Sequence, residues 1–79
     1  MPQPFLVRSG SDLGRAVSEA RRASGLTQTE FAAQMGFDQA YLARLERGHS
    51  VQLLDRIIRA LRALDADLTV SIPDPPDGE

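Results

Sequence analysis

Thr27 to Gly48, TQTEFAAQMGFDQAYLARLERG, holds two short amphipathic segments joined at a glycine, each with its own start signal. Thr27 and Glu30 stand at the spacing of a capping box: the threonine hydroxyl accepts the amide of Glu30 while the glutamate reaches back to the amide of Thr27. Phe31, Ala32 and Met35 then share one helical face. Gly36 ends that helix in the left-handed conformation, which carries no Cβ penalty for glycine. Asp38 is placed to cap a second helix, whose buried face is expected at Leu42 and Leu45 and whose end is marked by Gly48.

Upstream, Leu26 precedes the Thr27 cap and Phe31 is the fourth residue of the helix, so the two can form a hydrophobic staple. A longer helix is expected before it, opened by Ser11 as cap with Asp12 in the first turn and running to about Ser24, where Gly25 stops it. Leu13, Ala16, Val17 and Ala20 give that helix its apolar stripe, and Arg15, Glu19 and Arg22 its wet side. Downstream comes the loop Gly48-His49-Ser50, with Ser50 expected to cap a fourth helix. Leu54, Ile57, Ile58, Leu61 and Leu64 form its apolar face, wide enough to meet both a core and a second subunit. Arg56, Arg59 and Arg62 follow the opposite side and read as a solvated row.

From Asp67 to Ile72 the period falls to two, with Leu68, Val70 and Ile72 on one side and Asp67, Thr69 and Ser71 on the other, which predicts a strand. One strand cannot satisfy its own backbone groups. Its partner must be Phe5-Leu6-Val7 or the same strand of a second subunit, and the second subunit is the one expected here. The chain thus divides into an N-terminal arm (1–10), a folded domain (11–72) and a disordered acidic tail (73–79). The fold class is all-α, four helices, with one short C-terminal β-strand paired across a dimer.

Seventy-nine residues make one domain with a marginal core. The chain has no cysteine and a single histidine, His49, so neither disulfides nor a metal site can supplement that core, and association is the means left. No run is long enough for a membrane span or a signal peptide, so a cytoplasmic location is expected. The net charge is −2, yet Asp74, Asp77 and Glu79 lie in the tail, which leaves nine arginines against eight acids before Pro73. A nearly neutral core implies modest non-specific affinity for a polyanion. There is no glycine-rich phosphate loop, no nucleophilic cysteine and no metal-spaced carboxylate pair, so no catalytic residue, no cofactor and no enzymatic activity are expected.

The segment TQTEFA, the glycine turn, Gln39-Ala40-Tyr41-Leu42 and Leu45-Glu46-Arg47-Gly48 together resemble the XRE family of repressor-like helix-turn-helix proteins. Ser11 to Ile72 is similar, more narrowly, to HipB-like antitoxins. The resemblance implies a double-stranded DNA operator as partner, with Gln39, Ala40 and Arg44 of the third helix at the base edges. Their chemistry agrees: a glutamine amide pairs bidentately with adenine, an arginine with guanine, and an alanine methyl touches thymine. Gln28 resembles the family's phosphate-clamping glutamine, at a helix terminus whose free amides favour an anion. Tyr41 and Arg47 are further phosphate candidates, although Tyr41 can equally pack against the second helix. The family also pairs the glutamate of the Leu-Glu-x-Gly pattern with an arginine of the first helix, here Glu46 with Arg21, as a structural link. A homodimer is implied, held by Leu68, Val70 and Ile72 lying over Ile58 and Leu61, and so is a HipA-like kinase toxin as a partner. Asp38 departs from the serine or threonine common at that cap and would repel phosphate unless folded back on the helix amides. Two other readings compete, a free-standing repressor without a toxin and a protein-interaction adaptor that does not bind DNA.

Overall fold

The structure is a computed structural model that describes residues 3–49 and 52–74. Its elements run β1 (Gln3–Val7), α1 (Gly10–Ala23), α2 (Gln28–Met35), α3 (Gln39–Glu46), α4 (Gln52–Ala63) and β2 (Leu68–Ile72). The four helices and C-terminal strand match the expected class. The cap expected at Ser50 and the tail beyond Asp74 lie outside the described residues.

The first helix starts earlier than expected. Ser9, not Ser11, is its cap, with extended backbone and a side chain that accepts the Asp12 amide at 3.2 Å. Both serines precede the same apolar stripe, and the cap must stand three residues before the amide it binds, which selects Ser9 once Asp12 is third in the helix. The Asp12 carboxylate in turn accepts the Arg8 amide at 3.0 Å.

All four helices end in the same way. A 6→1 bond closes each: Leu26 to the Arg21 carbonyl, Phe37 to Ala32, His49 to Arg44 and Ala66 to Leu61. The left-handed residue is glycine in three of them, at 25, 36 and 48, and Asp65 (φ 61°) in the fourth.

The partner of β2 corrects the expectation of pairing across a dimer. β2 runs antiparallel to β1 of its own chain, with Phe5 opposite Val70 and Val7 opposite Leu68. An intrachain partner costs no association entropy, and the Phe5-Leu6-Val7 triplet supplies one that is too short to announce itself by alternation. The sheet lies on α1, which also packs on α3 and α4 and so forms the centre of the fold.

Among the described residues the buried apolar side chains are Val7, Ala16, Ala32, Leu42, Ile58 and Ile72. Leu42, with no exposed surface, fixes the inner face of α3, and its burial is worth about 1.5–3 kcal/mol. Leu26 and Phe31 line one apolar cleft of about 270 Å³ with Val17 and Ala20, as a staple requires. Met35 does not join them: it is 52% exposed, because the turn after it begins at Gly36 and leaves α2 only eight residues to reach the core. Gly14 is buried where α1 meets the end of α3; a Cβ there would overlap the Leu45 carbonyl oxygen.

The fourth helix is held less firmly. Ile58 is buried, Leu61 is half-buried, and the Asp55 carboxylate accepts the Gly10 amide at 3.1 Å at the start of α1. Leu53, Leu54, Ile57 and Leu64 remain exposed, at 70, 40, 49 and 77%. Arg56, Arg59 and Arg62 are exposed, as expected of a solvated row. No helix among the described residues is long and apolar enough to cross a membrane.

Candidate nucleic-acid interface

The capping box of α2 forms as read: Thr27 Oγ1 accepts the Glu30 amide at 3.1 Å, and Glu30 Oε1 accepts the Thr27 amide at 2.9 Å. It fixes the first turn of α2, from which Gln28 points toward α3. Asp38 caps α3 by accepting the Ala40 amide at 3.2 Å. Its carboxylate is therefore folded back on the helix amides, which reduces the repulsion it would offer a phosphate.

With Leu42 and Glu46 buried on the inner side of α3, Gln39, Ala40, Tyr41 and Arg44 are exposed, and Arg47 just beyond the helix is exposed as well. Tyr41 is half-exposed, at 47%. Its ring meets Phe37 in the turn edge-on, with centroids 5.5 Å apart, a favourable geometry for an aromatic pair. Phe37 (37% exposed) was not singled out from the sequence, and its place two residues before the helix gives no periodic signal.

Arg21 and Glu46 form the expected pair, at 9 and 6% exposure. Arg21 Nε donates to Glu46 Oε2 at 2.8 Å, one terminal nitrogen donates to Oε1 at 3.1 Å, and the other donates to the Leu26 carbonyl at 2.7 Å. One arginine thus ties α1 to the end of α3 and to the loop before α2. Burial raises the Glu46 carboxyl, but the hydrogen bonds from Arg21 and Gln28, the Arg21 charge and the Ser18 hydroxyl outweigh it and hold the group below its usual value of 4.5.

Two further bonds extend this pair to the surface. Gln28 Nε2 donates to Glu46 Oε1 at 3.0 Å, and Gln39 Nε2 donates to Gln28 Oε1 at 3.1 Å. The sequence names all four residues but gives no sign that they form one chain, because the link between α2 and α3 depends on how the two helices are set by the turn.

Beside Gln28 a groove of about 620 Å³ runs between α1 and the end of α3, lined by Arg15, Arg22, Arg47 and His49 among others. Glu19 and Glu46 line it too, and Arg22 pairs with Glu19 and Arg15 with Asp12, so Arg47 and the N-terminus of α2 are what it offers an anionic chain. Gln28 and Arg47 thus line one groove with the buried Glu46, and Gln39 is joined to it through Gln28.

Comparison with known proteins agrees with this geometry. Residues 17–70 match the helix-turn-helix family HTH_3. The chain is 36% identical over 69 residues to an uncharacterized HTH-type transcriptional regulator, y4dJ, of Sinorhizobium fredii (strain NBRC 101917 / NGR234), covering 84% of this chain and 90% of that protein. No solved structure matches it. With the family match spanning α2, the turn and α3, the chain belongs to the HTH_3 helix-turn-helix family.

Proposed function

We propose that this chain is a sequence-specific DNA-binding transcriptional regulator that acts as a homodimer. The observation that carries the reading is the outer face of α3, which exposes Gln39, Ala40 and Arg44 together while Leu42 and Glu46 anchor the inner face. Set in a major groove, Gln39 and Arg44 meet base edges and the Ala40 methyl suits thymine. Gln28, Tyr41 and Arg47 stand beside the phosphates. The family membership and the description of the related protein as a transcriptional regulator support the same reading.

The dimer is supported by the apolar side chains of α4. Leu53, Leu54, Ile57 and Leu64 would be covered by a second copy, with half-buried Leu61 at their edge, while Ile58 is buried within the subunit and Leu68, Val70 and Ile72 belong to its intrachain sheet. Two recognition helices related by a two-fold axis meet successive major grooves about 34 Å apart.

In its narrower form the proposal makes the chain the antitoxin and autorepressor of a HipBA-like pair with a HipA-like kinase toxin. A fourth helix and the strand that follows it support this reading. Selection on random duplex DNA tests the regulator and returns the half-site spacing. A flat selection would favour the adaptor reading, and co-expression with the product of the neighbouring reading frame separates antitoxin from solitary repressor.

A further inference from the structure

We infer that the acidic segment from Pro73 to Glu79, PDPPDGE, turns back along α1 and places Asp77 and Glu79 in the groove beside Gln28, where they occupy arginines that DNA phosphates would otherwise meet. The contact stands on where the chain leaves the fold and on charge. Its consequence for DNA rests on the proposed DNA-binding role.

Ile72 is buried at the end of β2, and Pro73 after it is exposed. Both line a hollow of about 380 Å³ where the sheet meets α1, together with Phe5, Glu19, Arg22 and Ala23. Glu19 and Arg22 also line the groove that holds Arg15, Gln28, Arg47 and His49, so the two depressions adjoin on α1. Pairing sets the direction of exit: Ile72 lies opposite Gln3, at the end of the sheet away from Leu68 and the turn that follows α4. The acidic segment therefore begins beside Arg22.

Reach is sufficient. A stretch with prolines at 73, 75 and 76 reads as a polyproline extension, stiffer than a glycine-serine linker and with less disorder to lose on docking. At about 3.1 Å per residue it carries Asp77 about 12 Å and Glu79 about 19 Å from Pro73. Arg15 lies seven residues before Arg22, about 10 Å along α1. Both acids thus come level with the groove.

The arginines there can exchange partners. Arg22 meets Glu19 at 4.0 Å and Arg15 meets Asp12 at 3.9 Å, with the two arginines 67 and 69% exposed, and pairs this open contribute little. Arg47 has no ion pair among the described residues. Glu46 does not compete for it, because Arg21 and Gln28 hold that carboxylate beneath the surface. Glu19 competes for Arg22, so Asp77 and Glu79 are assigned to Arg15 and Arg47. DNA must displace the segment, which divides the affinity for every sequence by the same factor. Random duplexes, held by their phosphates alone, are released first, while an operator adds base contacts that the acids do not touch.

The test keeps the full chain. Asp77→Asn/Glu79→Gln should raise affinity for random and operator duplexes alike by about fivefold, the worth of two exposed ion pairs. In Arg15→Gln/Arg47→Gln the same tail substitutions should change affinity by less than about twofold, because their partners are gone. The contact is also read without DNA. The chain has no cysteine, so Gly78→Cys carries a single nitroxide, which should broaden the amide NMR signals of Gln28, Arg47 and His49 and release them in molar salt. Equal gains with and without the two arginines would mean that the acids act through net charge alone, and that result overturns the inference. So does a nitroxide that leaves the groove signals sharp or broadens those of Arg56 and Arg59 instead. If no duplex binds either chain, the DNA-binding reading falls, and the nitroxide still decides the contact.

Discussion

Arg21→Met removes the cation from a pair in which the two side chains are 8 and 4% exposed. The variant leaves Glu46 buried with Gln28 as its remaining hydrogen-bond donor, and leaves the Leu26 carbonyl without the bond it accepts at 2.7 Å. Breaking a buried pair from one side costs about 3–5 kcal/mol, because the remaining charge has lost its partner but not its burial. The sign of the pH dependence identifies the cause. In the parent the Glu46 carboxyl is held below its usual 4.5, so its contribution is complete above that value and is lost as pH falls through the lower, folded value. In Arg21→Met burial is no longer outweighed, the folded value rises above the unfolded one, and acidification relieves the penalty instead of creating one. The difference between variant and parent should therefore be largest near neutrality and shrink toward about pH 4. Urea titrations followed by circular dichroism, at one protein concentration because association contributes to stability, measure it directly. Arg21→Met/Glu46→Leu should recover most of the loss, since an apolar pair needs no counter-charge. A loss under about 1 kcal/mol at neutral pH, or a loss that is unchanged by acid, would refute the reasoning.

Four other outcomes are expected. Gln39→Ala and Arg44→Ala should each weaken specific binding by about 1–3 kcal/mol and relax preference at one base pair, read by titration of operator and random duplexes; equal losses on both would remove them from the bases. Gly14→Ala should destabilise by about 1–3 kcal/mol although alanine is the better helix former by about 1 kcal/mol, because the new methyl meets the Leu45 carbonyl; a raised melting temperature would contradict the contact. Asp65→Gly should stabilise by about 0.5–1 kcal/mol in thermal melts, since Asp65 holds a left-handed position that glycine fills in the other three helix ends. Ile57→Asp places a charge in the exposed apolar face of α4 and should halve the mass seen by light scattering, with operator affinity falling alongside; an unchanged mass would move the dimer interface elsewhere.

What could be read from the residues follows the range of the forces involved. The α2 capping box, the Gly36 turn and the Asp38 cap are local, each needing only a few consecutive residues, and each is found where the spacing puts it. The period-two stretch Leu68–Ile72 is likewise a strand. The partner of that strand was not legible, because β1 and β2 are separated by the whole helical domain and β1 itself contains Pro4, which argues against a strand in the sequence. Ser9 and Ser11 compete for one cap, and the winner is set by where α1 must begin to receive Asp55 and the sheet. Gly14 did leave a sign, a glycine inside a helix where alanine would be better, and the close approach to α3 is its explanation. The bonds from Glu46 through Gln28 to Gln39 left none, since each residue has an ordinary local role and only the angle between α2 and α3 joins them.

That angle is also where stability and recognition meet. α3 is held at its inner face by Leu42, at its end by Glu46 on Arg21 and by Gly48 against Ser11, and at its start by Asp38. Two of those four supports, at Glu46 and Gly48, lead to α1, which also packs on the sheet. A perturbation of the sheet thus has a short packed route to the recognition helix without touching DNA. The core that transmits it is small, and the apolar side chains of α4 remain outside it. In the proposed dimer, covering those side chains would stabilise the same packing that aims Gln39 and Arg44, so folding, association and operator binding would be linked by mass action. Operator DNA should then raise the dimer's resistance to urea, and dilution should lower operator affinity more steeply than a preformed rigid dimer allows. If melting is independent of protein concentration and operator titrations follow a simple single-step isotherm down to nanomolar protein, α4 is not the coupling surface and the recognition helices are held by the monomer alone.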